Sequence, residues 1–248
     1  MYPFLLLTIM LLTVPASAFA VETAEDGDDA LAASLVQHST ESGNDPWEGF
    51  NRPSFAFNHA VDTYVLKPVA SGYHWLLPET VRNSVGNFFD NLGEPVNCFN
   101  GILQLNPDKA FTAFWRFTLN STFGLAGFRD FAGEQARLRY RHNTFGETLG
   151  TYRISSGPYL VVPLLGPSSP RDTVGDVVDL FIDPFSYIIP TRTDIALTGI
   201  DVIDTRDQNA VLLDELYDHS IEPYSAMRSA YLQHKSFETR NGKTKQLD

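Results

Sequence analysis

Asn106-Pro107-Asp108-Lys109-Ala110-Phe111-Thr112-Ala113-Phe114-Trp115-Arg116-Phe117-Thr118-Leu119-Asn120-Ser121-Thr122 reads as one helix. Asn106 can cap its start, and Pro107 stands at the first helical position, where the N–H that proline lacks would be unpaired in any case. At about 100° per residue, Phe111, Phe114, Trp115, Phe117, Leu119 and Phe123 spread over an apolar arc of roughly 240°. Lys109, Arg116 and Asn120 share the narrow polar edge that is left. A surface helix ordinarily carries an apolar stripe of about 100° or a little more. This one needs apolar surroundings on most sides. Either it is the central helix of a core, or it has protein on one side and lipid on the other.

The residues that follow, Phe123-Gly124-Leu125-Ala126-Gly127-Phe128-Arg129-Asp130-Phe131-Ala132-Gly133, interrupt an apolar run with glycine. Such a segment is a buried turn or a mobile apolar hairpin, since its phenylalanines would not willingly face water and its glycines permit unusual backbone angles. Elsewhere proline again falls at helix starts, as in Ser169-Pro170-Arg171-Asp172. This punctuation divides the body into helices near 47–64, 68–76, 78–91, 95–105, 107–122, 170–182, 192–205, 207–218 and 223–237, with Pro53 kinking or delaying the first. Tyr159 to Leu165 is the best strand-like run, kept short by Pro158, Pro163 and Gly166. The expected fold class is all-α.

Asp172, Asp176, Asp179 and Asp183 are spaced by four, three and four, so they share one helical face opposite Val174, Val178 and Phe181. Like charges in a row repel and must be solvated, capped or paired. A solvated face, a cation site and the polar lining of a water-filled passage all fit, with Arg171 a possible head-group contact in the last.

Composition narrows the function. The first twenty residues carry no charged side chain, with an apolar run from Phe4 to Val14 before Ala16-Ser17-Ala18 and Ala18-Phe19-Ala20. This predicts a secretory signal peptide over 1–20. Residues 21–45 hold seven acids and no Lys or Arg, which predicts a disordered tether. A single helical domain is expected over 46–238, then a polar tail over 239–248. The net charge is −12 and no basic patch stands out, which argues against nucleic acid as a partner. Cys98 is the single cysteine, expected to be a small buried side chain, and it leaves no internal disulfide. The six histidines form no HExxH or close ligand pair, there is no G-x-S-x-G, and Gly242-Lys243-Thr244 lacks the first glycine of a phosphate loop. No enzyme, metal or cofactor is expected. Beyond the signal peptide no segment approaches the roughly 20 apolar residues of a spanning helix, so membrane contact would rest on amphipathic helices lying in one leaflet.

The most distinctive motif is Asp45-Pro46-Trp47-Glu48-Gly49-Phe50-Asn51-Arg52. It is followed in order by Tyr64-Val65-Leu66-Lys67-Pro68, Asn91-Leu92-Gly93-Glu94-Pro95, Gly124-Leu125-Ala126-Gly127-Phe128, Phe145-Gly146-Glu147-Thr148-Leu149-Gly150, Gly157-Pro158-Tyr159 and Asp204-Thr205-Arg206. Together these resemble the MlaA (VacJ) family of outer-membrane phospholipid-transport proteins over about Asp45 to Lys235. The resemblance implies a ring-like bundle of amphipathic helices in the inner leaflet of the outer membrane, with a central amphipathic channel. It implies phospholipid as cargo, an outer-membrane porin trimer and a soluble periplasmic lipid carrier as partners, and upkeep of lipid asymmetry as the function. It places Leu125, Phe128 and Phe131 on the loop flanking the channel, and Arg171, Asp172 and Asp176 on the polar channel face. It also implies a lipid anchor on a cysteine at the cleavage site, which Ala16 to Ala20 does not contain; attachment is then expected to rest on the apolar rim and on protein partners. The alternative is a porin-associated structural protein that conducts no lipid.

The physical need for such a passage is large. Drawing a phospholipid out of a bilayer exposes about 30 methylenes at roughly 0.8 kcal/mol each, near 24 kcal/mol. A continuous apolar surface beside a polar head-group path removes most of that cost.

Overall fold

A computed structural model describes residues 45–241, with side chains as far as Lys235. The expected signal peptide and nearly all of the expected tether lie outside the described residues, as does the tail beyond 241. The architecture is α1 (Glu48–Val61), a π-helical turn (Asp62–Leu66), α2 (Lys67–Leu76), α3 (Glu79–Leu103), α4 (Pro107–Thr122), α5 (Phe131–Ala136), α6 (Phe145–Thr151), β1 (Leu160–Val162), β2 (Gly166–Ser168), α7 (Pro170–Ile182), α8 (Phe185–Ile188), α9 (Thr191–Gln208), α10 (Ala210–His219) and α11 (Pro223–Asn241). The caps read from the sequence are in place. The Asn106 side chain accepts from the Lys109 N–H and Ser169 from the Asp172 N–H, both at 3.2 Å.

Helix contacts close a circuit. α3 packs on α4 and α6, α6 on α7, β2 on α11, α11 on α10, and α9 on α10, α2 and α3. The link from α7 to β2 is covalent through Ser169 and is reinforced by the Ser168 and Thr173 hydroxyls at 2.9 Å. A closed chain of neighbours is the ring implied by the resemblance. α6 and α7 cross very closely. A Cβ on Gly175 would stand 2.2 Å from the Gly146 backbone nitrogen, so only glycine fits at that crossing.

The antiparallel hairpin β1–β2 is fastened to α1 by two asparagines one heptad apart. The Asn51 amide donates to the Tyr159 carbonyl at 3.0 Å and accepts from the Val161 N–H at 2.8 Å. Asn58 repeats this with the Val162 carbonyl at 3.0 Å and the Leu164 N–H at 2.7 Å. Two side-chain amides thus stand in for a third strand. The Asp45–Arg52 motif extends the same joint. Asp45 accepts from Asn51 and from the Tyr224 hydroxyl, while Arg52 reaches Glu222 at 2.8 Å and lies over the Tyr224 ring. The small apolar core, Tyr159, Val161 and Tyr224 with Phe55 and Tyr231 against it, sits at this joint.

Several boundaries differ from the sequence reading. The helices expected at 78–91 and 95–105 are one 25-residue helix, α3, running through Pro95. A proline inside a helix costs about 3 kcal/mol. Tertiary contacts on both sides offset it, through Asn91 to Ser121, Glu94 to Arg116 and Asn100 to Asp179. The strand-like run 159–165 is the strand β1 and the turn that leads into β2 at Gly166. α5 and α6 are too short for a periodic signal; Asp130 and Thr144 cap them. Residues 239–241, placed in the tail by composition, continue the last helix. Cys98, expected to be buried, is partly exposed.

Candidate functional site

The polar edge of α4 faces inward. Among the described residues of that helix, Ala113, Arg116 and Asn120 are buried, while Phe111, Phe114, Trp115 and the following Phe123 are exposed, Phe111 by 62%. The central-core option for this helix is therefore excluded. α7 behaves the same way. Asp172 and Asp179 are buried, Asp176 is partly buried, and Val174 and Phe181 on the far side are exposed. The carboxylate row is not a solvated face.

The pattern holds across the described residues. Nineteen polar or charged residues are buried against nine apolar ones, and twenty-nine large apolar side chains are exposed. In a water-surrounded domain the ratio runs the other way. The largest fully buried side chains include Arg206, Glu94, Asn51, Asn97, Asn100 and Asn120. They are well satisfied. Arg116 donates to Glu94, Asp130 and the Leu138 carbonyl and lies near the Tyr140 ring. Arg206 donates to Asp62 at 2.6 Å and Asp214 at 2.8 Å. Asn100 donates to Asp179 at 2.7 Å and accepts from Thr148, which accepts from Gln104.

This polar stripe was legible and missed. Asn91, Glu94, Asn97, Asn100 and Gln104 are spaced by three, three, three and four along α3, opposite the exposed Phe99 and Ile102. Asn58, Asp62 and Arg206 belong to the same interior and carried no signal beyond their residue type.

The two groups of residues singled out from the sequence lie on separate parts of the ring. Leu125 and Ala126 adopt left-handed backbone at φ 55° and 59°, followed by Gly127 at 99°. This turn folds against α3 because the Gly127 Cα meets the Asn91 side chain, and a Cβ there would be 2.7 Å from it. Leu125 is 76% exposed, Phe128 is exposed on one side and stacks on Phe88 at 4.9 Å, and Phe131 is half-buried against Phe123. On α7, Arg171 clasps the neighbouring Asp172 at 2.8 Å and donates to the Ile154 carbonyl at 3.2 Å. Asp172 also binds Lys235 at 3.2 Å and the Tyr231 hydroxyl at 3.1 Å. Asp176 stands between these paired carboxylates. Among the described residues no group of His, Cys, Asp and Glu is arranged to hold a metal ion.

Burial sets the titration of the interior. Loss of hydration, aided by Asp179 and Asp172, pushes the Asp176 carboxyl up to about 7. Desolvation does the same to Asp90, to about 7, and to Asp201, to about 6. Lys235 and Arg171 outweigh burial at Asp172 and hold it below the ordinary carboxylate range. A raised carboxyl binds its proton more tightly folded than unfolded, so its contribution to stability falls as pH climbs from about 4 to about 7. Lowered carboxyls lose their contribution only below about 4. The melting temperature is therefore expected to rise when detergent-solubilised protein is brought from pH 8 to pH 5.5, and Asp90→Asn with Asp176→Asn should flatten that slope. An unchanged slope in the double variant would place the titration elsewhere.

A second feature lies beneath the hairpin. A cavity of about 330 Å³ is walled by α1, the π-helical turn, α2, the β1–β2 hairpin, α9, α10 and α11, and is almost wholly apolar. Neither residue group named from the sequence lines it.

A family profile described as MlaA lipoprotein matches residues 43–238. The chain belongs to the MlaA family. It is 34% identical to the intermembrane phospholipid transport system lipoprotein MlaA of Haemophilus influenzae, over 95% of this chain and 92% of that one. Identity to the Escherichia coli MlaA of the same description is 35%, over 87% and 89%. An uncharacterised Rickettsia felis protein is 36% identical over 75% and 74%. Among solved structures, a chain from work on the structural basis for maintenance of bacterial outer membrane lipid asymmetry superposes with a TM-score of 0.70 at 35% identity, covering 79% of this chain and 99% of that chain.

Proposed function

We propose that this chain is a phospholipid-transport component of the outer membrane, taking phospholipid from the outer leaflet toward the periplasm and so maintaining lipid asymmetry. The observation that carries this is the reversed burial: charged and amide side chains inside, phenylalanine, tryptophan and leucine outside. A protein of this kind suits acyl chains around its rim, while the paired charges and amides packed between its helices hold the frame together. Among the described residues no helix is long and apolar enough to cross a membrane, which suits a protein seated in one leaflet. Leu125 and Phe128, exposed on a left-handed turn, with Phe131 at its base, form the gate. Asp176, with Arg171 and Asp172 beside it, belongs to the polar lining. A porin trimer holds the ring in place and a soluble periplasmic carrier receives the lipid. Transfer runs downhill, with no chemical step in the chain.

Deleting the protein is expected to raise outer-leaflet phospholipid. Phe128→Asp, which leaves the buried Arg116 and Asn120 network untouched, should raise it comparably at normal protein level. Asymmetry unchanged by deletion, with porin still copurifying, would make the protein a structural partner instead. Release of fatty acid or lysolipid from vesicles by the pure protein would make it a phospholipase.

A further inference from the structure

Gly199 lies inside α9 and lines the apolar cavity beneath the hairpin. Glycine inside a helix is disfavoured unless something approaches its backbone. Gly101, Gly146 and Gly175 meet that condition, because a Cβ on each would stand within 3 Å of another backbone or side chain. Gly199, like Gly49 and Gly72, does not: a Cβ there would meet nothing within 4 Å, and of these three only Gly199 lines the cavity. Its missing side chain preserves empty space.

The space has a definite chemistry. Val161, Val202 and Met227 are buried in its wall, and Val65 and Val69 are exposed at its edge. The side-chain amide of Asn58 is already engaged with the hairpin, and Asp62 with Arg206. The Tyr217 hydroxyl is the one other polar side-chain group in the wall, too little to hold a charged head group. The π-helical turn widens this wall, and such turns are frequent at functional sites. The volume stands at the small end of the range of about 300–1,000 Å³ for ligand pockets.

We infer that this cavity holds one acyl chain of a phospholipid, entering past Val65 and Val69 from the apolar outer surface. Gly199 is the position that keeps the slot open. The inference rests on the proposed lipid-transport role and adds to it a chain-binding site away from both the Leu125–Phe131 loop and the Asp172–Asp176 face.

The test uses the full chain reconstituted in phosphatidylethanolamine–phosphatidylglycerol vesicles doped with a phosphatidylcholine bearing a diazirine near one acyl end. After illumination, adducts are mapped by peptide mass spectrometry. Adducts are expected on the peptides carrying Val161 to Leu164 and Gly199 to Ile203, and also on the outer face around Phe111 and Phe114. Gly199→Phe should lower the cavity adducts at least tenfold, leave the outer-face adducts unchanged, and not lower the melting temperature. Gly199→Leu, a smaller plug, should give an intermediate loss and serves if the larger ring does not fold. Cavity adducts that persist in both variants, or that are absent from the wild type while outer-face adducts form, would overturn the acyl-chain site alone. Absence of adducts at both places would overturn the lipid-contact reading with it.

Discussion

Arg116→Met is expected to unfold much of the ring at ambient temperature. The guanidinium is almost fully buried and bridges Glu94 on α3, Asp130 ahead of α5 and the Leu138 carbonyl. Removing it leaves Glu94 buried without its countercharge, a change worth about 3–5 kcal/mol. Domains of this size are stable by only about 5–15 kcal/mol. Glu94 already has its carboxyl pushed up to about 7 by burial even with Arg116 beside it. Without Arg116 it must protonate or drag water inward, so the variant should lose further stability as pH rises from 6 to 8. Adding Glu94→Gln is expected to recover much of the loss, because a neutral amide needs no countercharge. Chemical denaturation in detergent, on the two single variants and the double, measures this coupling directly. An Arg116→Met protein as stable as the wild type would show that the interior is wet enough to hydrate Glu94 unaided.

The second large effect concerns the opposite surface. Phe111→Asp with Phe114→Asp is expected to leave the fold intact and release the protein from membranes. Both rings are exposed on the side away from the buried Arg116 and Asn120, and each meets the Trp115 ring edge-on, at 5.8 and 5.6 Å. Losing such ring contacts costs about 1 kcal/mol each. Burial of a phenylalanine in an apolar medium contributes roughly 1.5–3 kcal/mol, and an aspartate deep in a bilayer costs up to about 3.5 kcal/mol. Two such exchanges amount to several kcal/mol, at least a hundredfold in partition. A carbonate wash followed by blotting of pellet and supernatant reads it. Retention in the pellet equal to wild type would mean that this surface contacts protein instead of lipid.

How much of this was written in the sequence differs from element to element. α4 and α7 were legible because proline at the first turn and a capping Asn or Ser set their starts, and their periodicity set their faces. What periodicity could not say is which face is inside, since an apolar arc looks the same whether protein or acyl chains cover it. The carboxylate row on α7 shows the difficulty: spacing put the four aspartates together, but only the positions of Asn100, Phe145 and Lys235 reveal that Asp172 and Asp179 are enclosed and paired. Pro95 misled in the other direction. Its local preference for a break is overridden by side chains up to about 80 residues away. The ring and its lipid-facing role were implied by motif resemblance, and the cavity beside Gly199 had no local signature, because it is built from five separate segments.

The joint at α1, the hairpin and α11 has a consequence for assembly. It holds two of the most distant pairings in sequence, Arg52 to Glu222 across 170 residues and Asp45 to Tyr224 across 179, and ties Asn51 to Tyr159 across 108. Pairings so distant in sequence carry a loop-closure penalty and form late. The circle therefore has a seam, and it closes last, only once the carboxy-terminal helix has been delivered. Until that moment the open horseshoe exposes its oily rim and its charged interior to the same solvent, which makes its final stitch the step most exposed to aggregation.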